Sequence, residues 1–98
     1  MSVVSREIVI RNALGLHARP AMQFVDLANQ FASEIVVEKP ATTGGDEAVR
    51  VDGKSVMQMI TLEAIEGTLL HVKADGADAE AAVEQLAKLV EDKFGEDE

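Results

Sequence analysis

The sequence predicts an α+β open sandwich, a four-stranded antiparallel sheet with three helices packed on one face. Two observations lead there. Four short segments read as half-buried strands, by alternation or by β-branched content, and three others as helices, two from apolar residues at helical spacing and one from a capping box. Their order along the chain is β-α-β-β-α-β-α, and every strand has one greasy face, so helices need to cover only one side of the sheet.

Ser5 to Arg11 alternates, with Ile8 and Ile10 on one face and Glu7 and Val9 on the other, and forms the first predicted strand. Asn12-Ala13-Leu14-Gly15 breaks the pattern as a loop. From Ala18 onward Ala21, Phe24, Val25, Ala28 and Phe31 recur at helical spacing. Proline is tolerated in a helix only in the first turn, so Pro20 fixes the helix start close to His17. Glu34 to Glu38, rich in β-branched residues, is the second strand. Lys39–Asp46 (KPATTGGD) is a loop, and Ala48 to Asp52 is a third strand with Val49 and Val51 inward. Ser55 followed three residues later by Gln58 matches a capping box and predicts a short helix to about Ala64. Thr68 to Ala74 is the fourth strand, with Leu70 and Val72 on one face. Asp78 is a good N-cap for the last helix, whose apolar positions are Ala79, Val83, Leu86, Val90 and Phe94. Gly95 and an acidic tail over residues 95–98 stop it.

Ninety-eight residues suffice for a single domain, 1–98, and not for two. Such a chain buries roughly 60–68% of its unfolded surface, so one modest core is feasible without covalent staples. Hydrophobic residues make up 47%, but Trp and Tyr are absent and Phe occurs three times, so the core must be aliphatic. The absence of Cys excludes disulfides and thiolate metal sites. The N-terminal stretch has no basic region followed by an apolar run, and no segment approaches the roughly 20 apolar residues that span a bilayer. These features predict a cytoplasmic protein without membrane insertion. The net charge of −9 is uneven: residues 1–37 hold three acids and three bases, whereas residues 38–98 hold fifteen acids and six bases. Nucleic acid is not an expected partner for that surface, and the neutral first third is where an anion can best approach.

The informative segment runs from Asn12 to Ala21. His17 sits where the chain turns into a helix, with Gly15 before it to permit a tight approach. The first turn of a helix has free backbone N–H groups, among them that of Ala18, and the positive end of the macrodipole. An anion held there needs no dedicated cage. Arg19 adds a permanent charge whose fork suits phosphate oxygens. Imidazole is a competent nucleophile near neutral pH, because the neutral ring is populated there. Together these residues make a candidate phosphohistidine site. An arbitrary histidine before a helix more often merely caps it; the rest of the chain decides between the two.

GLHARPA (residues 15–21), the later GKSVMQMITL (residues 53–62) and the element order resemble HPr, the histidine-containing phosphocarrier family of the bacterial phosphoenolpyruvate:sugar phosphotransferase system. The resemblance extends from about Glu7 to Phe94. It implies an HPr-like open-faced sandwich, with His17 phosphorylated on its Nδ1 (pros) nitrogen by Enzyme I, which draws on phosphoenolpyruvate. Arg19 and the Ala18 amide would support transfer, and the group would pass to IIA domains of sugar permeases. Such a protein is a carrier, consumed and regenerated as a phosphoryl donor, and not a stand-alone catalyst. It implies no cofactor, no metal and a monomer. The alternative function is a regulatory HPr-like module that controls a kinase, transcription factor or nitrogen pathway without sugar transport.

Ser55 has a complete explanation as a helix cap. The matching serine of HPr is also phosphorylated in several lineages by an ATP-dependent HPr kinase/phosphorylase, and the two roles are compatible. The motif departs from the common GKSIMGVMSL form, with Val56 for Ile and Gln58 for Gly. Val56, Met57, Met59 and Ile60 crowd a short helix and cannot all face one core. Either that helix is buried all round, or Val56, Met57 and Ile60 supply a docking patch, as the resemblance implies. Gly53-Lys54-Ser55 mimics the end of a P-loop, but the glycine required five positions earlier is Ala48, so a nucleotide loop is rejected. His71 is expected as a solvated strand residue beside Leu69 and Lys73, and two isolated histidines do not make a zinc site. Lys39–Asp46 is longer than the tight hairpin usual in the family.

Overall fold

The computed structural model describes residues 3–41 and 47–95. The elements are β1 (Val3–Val9), α1 (Ala18–Ala28), β2 (Glu34–Lys39), β3 (Val49–Asp52), α2 (Val56–Ile60), β4 (Leu69–Asp75) and α3 (Ala79–Glu91), followed by a 3-10 turn over Lys93–Gly95. The strands form one sheet in the order β1-β4-β2-β3, with every neighbouring pair antiparallel. The last strand made is thus one of the two central ones.

Alternation sorts the side chains. Ile8, Ile35, Val37, Val51, Leu70, Val72 and Ala74 are buried on the helical side of the sheet. Against them pack Ala21, Phe24, Val25 and Ala28 of α1, Met59 of α2, and Ala82, Val83, Leu86 and Val90 of α3. Each fully buried Leu, Ile or Phe contributes roughly 1.5–3 kcal/mol, so this one aliphatic cluster is the main source of stability. Among the described residues the opposite face has no helix. There Glu7, His71 and Glu38 lie side by side across β1, β4 and β2.

Several boundaries differ from expectation, each for a local reason. β1 spans Val3–Val9 rather than Ser5 to Arg11. Ile10 is still buried: its N–H bonds the Thr68 carbonyl (3.0 Å) and its carbonyl accepts from Gly67 (2.7 Å), a pairing that curls around a turn instead of extending the ladder. α2 stops at Ile60, not Ala64. Thr61 caps it, Glu63 takes a left-handed φ of 50°, and the Ala64 carbonyl turns away to accept the Leu16 N–H (2.8 Å). The capping box is half formed: Ser55 Oγ accepts from the Gln58 N–H (3.3 Å), but Gln58 Oε1 reaches past Ser55 to the Asp52 N–H (2.9 Å).

Asp78 stands at the N-cap of α3 yet makes no side-chain cap bond. Its carboxylate instead accepts from the N–H groups of Ala32 (2.8 Å) and Ser33 (2.9 Å) and from the Ser33 hydroxyl, tying α3 to the turn before β2. These bonds, that of the Ser33 hydroxyl foremost, hold its carboxyl below the usual carboxylate value. Gly76 lets this junction close, because a Cβ there would lie 2.5 Å from Ser33 Oγ. The last helix ends at Glu91 rather than running through Phe94. Lys93 and Phe94 adopt left-handed φ values of 57° and 56°, which fold the Phe94 ring back into the core. His71 is half-buried and its Nε2 lies 3.2 Å from Glu7 Oε2, more engaged than a plain solvated residue. Of the expected loop over residues 39–46, β2 takes Lys39, Pro40 and Ala41 follow it, and 42–46 lie outside the described residues.

Candidate functional site

The segment between β1 and α1 is held at three places before the helix begins. Gly15 has a φ of 70°, and a Cβ on it would sit 2.5 Å from the Ala64 carbonyl oxygen and 2.9 Å from Ile65 Cα. Both the backbone angle and the contact require glycine. The neighbouring Leu16 N–H bonds that same Ala64 carbonyl, and the Gly15 N–H bonds the Asn12 carbonyl (3.1 Å). His17 leaves this clamp in extended geometry, with φ −82° and ψ −172°, as the N-cap of α1.

α1 begins at Ala18. The His17 carbonyl accepts from the Ala21 N–H (3.0 Å), and Pro20, third in the helix, has no N–H to offer. The amides of Ala18 and Arg19 are therefore the first-turn donors that helix geometry leaves to meet an anion. No acidic residue stands in that turn, so no carboxylate of the helix's own first turn opposes the positive end of the dipole. The Arg19 side chain is exposed beside the half-buried His17. His17, Ala18 and Arg19, consecutive in the sequence, stand at the N-terminus of α1.

Ser55 N-caps α2, which packs against α1. On α2, Met57 is 78% exposed and Ile60 40% exposed, whereas Val56 is half-buried against the core and Met59 is fully buried. The short helix therefore divides its apolar residues between core and solvent. Of the other exposed apolar side chains, which include Val3 and Ile65, Leu14 and Met22 are the nearest to His17 along the chain, and the sequence pattern does not single them out. Met22 could have been found, because it falls outside the Ala21, Phe24, Val25, Ala28 stripe and lies one turn beyond Ala18. Leu14 carried no such signal, since a loop has no period. Among the described residues no group of three or more His, Asp or Glu could hold a metal ion, and no helix is long and apolar enough to cross a membrane.

The fold is thus an open-faced sandwich with a histidine at the head of its first helix. A family model described as "PTS HPr component phosphorylation site" matches residues 4–92. The chain is 40% identical over 96 residues to the phosphocarrier protein HPr of Neisseria meningitidis, covering 98% of this chain and 100% of the relative. It is 36% identical to the phosphocarrier protein NPr of Proteus mirabilis, covering 94% and 96%. A solved HPr structure from Thermoanaerobacter tengcongensis superposes with a TM-score of 0.82 at 40% identity, covering all of both chains. The chain belongs to the HPr family of phosphocarrier proteins of the phosphotransferase system.

Proposed function

We propose that His17 accepts a phosphoryl group from Enzyme I and donates it to IIA domains of sugar permeases. The observation that carries this reading is the placement of His17 at the acid-free N-terminus of α1 with Arg19 beside it, in a chain of the HPr family. In the accepting step a neutral ring nitrogen, Nδ1 by family resemblance, attacks phosphorus. A P–N bond forms as the bond to the donor breaks, and the donor keeps that electron pair. The amides of Ala18 and Arg19 and the Arg19 guanidinium face the three phosphoryl oxygens as their charge shifts. Donation reverses these steps on the next protein.

Met57 and Ile60, with Val56 beneath them, form the docking patch in this reading. Flexible methionine suits a surface that must fit several partners. Ser55 is a regulatory position open to an HPr kinase/phosphorylase. A phosphate there would take the place of the cap bond to Gln58 and add negative charge beside the patch. The carrier acts as a cytoplasmic monomer. A regulatory role without sugar flux is the second reading, supported by the likeness to a relative named NPr rather than HPr.

The test is incubation with Enzyme I and labelled phosphoenolpyruvate, alongside His17→Ala. Acid-labile label on the wild type and none on the variant is expected. No label on the wild type, with a control carrier active in the same assay, would remove the carrier reading. Passing the labelled protein to purified IIA domains then separates the two readings. Discharge supports sugar transport, and retention supports the regulatory module.

A further inference from the structure

Two polar side chains are buried among the described residues, Ser33 and Asn12. Ser33 is accounted for by its bonds to Asp78. Asn12 lies at the entrance to the His17 loop and is fully buried. Its Nδ2 donates to the Gly15 carbonyl at 2.7 Å, and its own carbonyl accepts the Gly15 N–H at 3.1 Å. Gly15 is thus gripped at both its peptide groups by one residue. The Gly15 carbonyl also accepts the His17 N–H at 3.0 Å. The side-chain amide of Asn12 and the backbone of His17 therefore share a single acceptor.

That arrangement has a consequence for chemistry. A buried amide costs stability unless it is bonded, and an apolar residue would fill the same space without the desolvation cost. What an apolar residue lacks is a donor to orient the Gly15 peptide. That same peptide is held at its other end by the Leu16 N–H on the Ala64 carbonyl, and the next one, between Leu16 and His17, by the His17 N–H on the Gly15 carbonyl. Both peptide planes leading into His17 are then set, and so is the direction in which its imidazole leaves the chain. Direction matters because transfer of a phosphoryl group needs the attacking atom in line with the departing one.

We propose that Asn12 is a positioning residue for phosphoryl transfer at His17, acting through the Gly15 carbonyl. The inference rests on the carrier reading above. Asn12 is fully buried and presents no surface to a docking protein, so its effect falls on the transfer step.

The experiment measures steady-state kcat and KM for phosphorylation by Enzyme I and phosphoenolpyruvate with wild type, Asn12→Ala, Asn12→Ser and Asn12→Asp as the carrier substrate. Enzyme I is held limiting, and melting curves are recorded for each variant. Loss of the donor in Asn12→Ala is expected to lower kcat by about tenfold or more with KM within about twofold, at temperatures where the variant is fully folded. Asn12→Ser keeps a donor on a shorter arm and recovers part of kcat. Asn12→Asp is isosteric but points an acceptor at the Gly15 carbonyl, and is at least as slow as Asn12→Ala. A purely structural residue would lower the melting temperature while leaving kcat intact in every folded variant, and that outcome overturns the proposal. Should Asn12→Ala fail to fold, wild-type kcat in the Ser and Asp variants overturns it equally. Wild type labelled on His17 with unaffected variants removes only the positioning role, whereas wild type that takes no label removes this inference and the carrier reading together.

Discussion

At the scale of single residues, the site depends on positions whose chemistry is unremarkable out of context. Gly15 is one. Its φ of 70° and the 2.5 Å approach of a virtual Cβ to the Ala64 oxygen mean that Gly15→Ala must both strain the backbone and push two loops apart. We expect a loss of about 2 kcal/mol or more, read by urea denaturation, together with slower phosphorylation. Gly15 and His17 are legible in the sequence because a motif sets them just before a helix whose first turn holds Arg19 and Pro20. Asn12 was not singled out. An asparagine in a loop has many uses, and only the fold shows that this one is buried and bonded to the carbonyl that His17 also uses.

Among the elements, periodicity, β-branched content and one capping box located all seven, yet the sequence misjudged how they end. Caps are contests between neighbouring donors and acceptors, and the winner depends on tertiary partners that a local pattern does not contain. Asp78 illustrates this by abandoning its own helix for the turn at Ala32 and Ser33. Its carboxyl is held below the ordinary value, so its bonds contribute stability that is complete above about pH 4 and is lost as pH falls through the depressed value. Acid denaturation should therefore show a component in that window that Asp78→Asn lacks, measurable by comparing melting temperature against pH for the two proteins. α2 offers a second contrast. Met59→Ala opens a hole in the core and should cost roughly 2–5 kcal/mol, whereas Met57→Ala two residues away should change stability by no more than about 0.5 kcal/mol. Chemical denaturation of both checks whether the apolar residues of this short helix divide as described. The sequence left that division open, because four apolar side chains in five residues fit a buried helix and an exposed patch equally well.

For the whole molecule, the sandwich class follows from alternation and element order, but strand order does not. Each strand shows the same greasy and polar faces, and nothing in that pattern says which strands are neighbours. The observed order makes β4 the seam of the sheet, joined to β1 on one side and to β2 on the other. Leu70→Ala in this strand should cost roughly 2–5 kcal/mol, and Val49→Ala on the outer strand β3 only about 1 kcal/mol, a ranking that thermal melts would test. The seam also sets a schedule for biosynthesis. As the chain leaves the ribosome, β1 emerges first and has nothing to pair with, and the β2–β3 hairpin emerges next as a separate piece. Only when residues 69–75 are free can one strand join the two halves. The nascent protein therefore waits with bare strand edges until β4 has been made, and the sheet closes in a single late event.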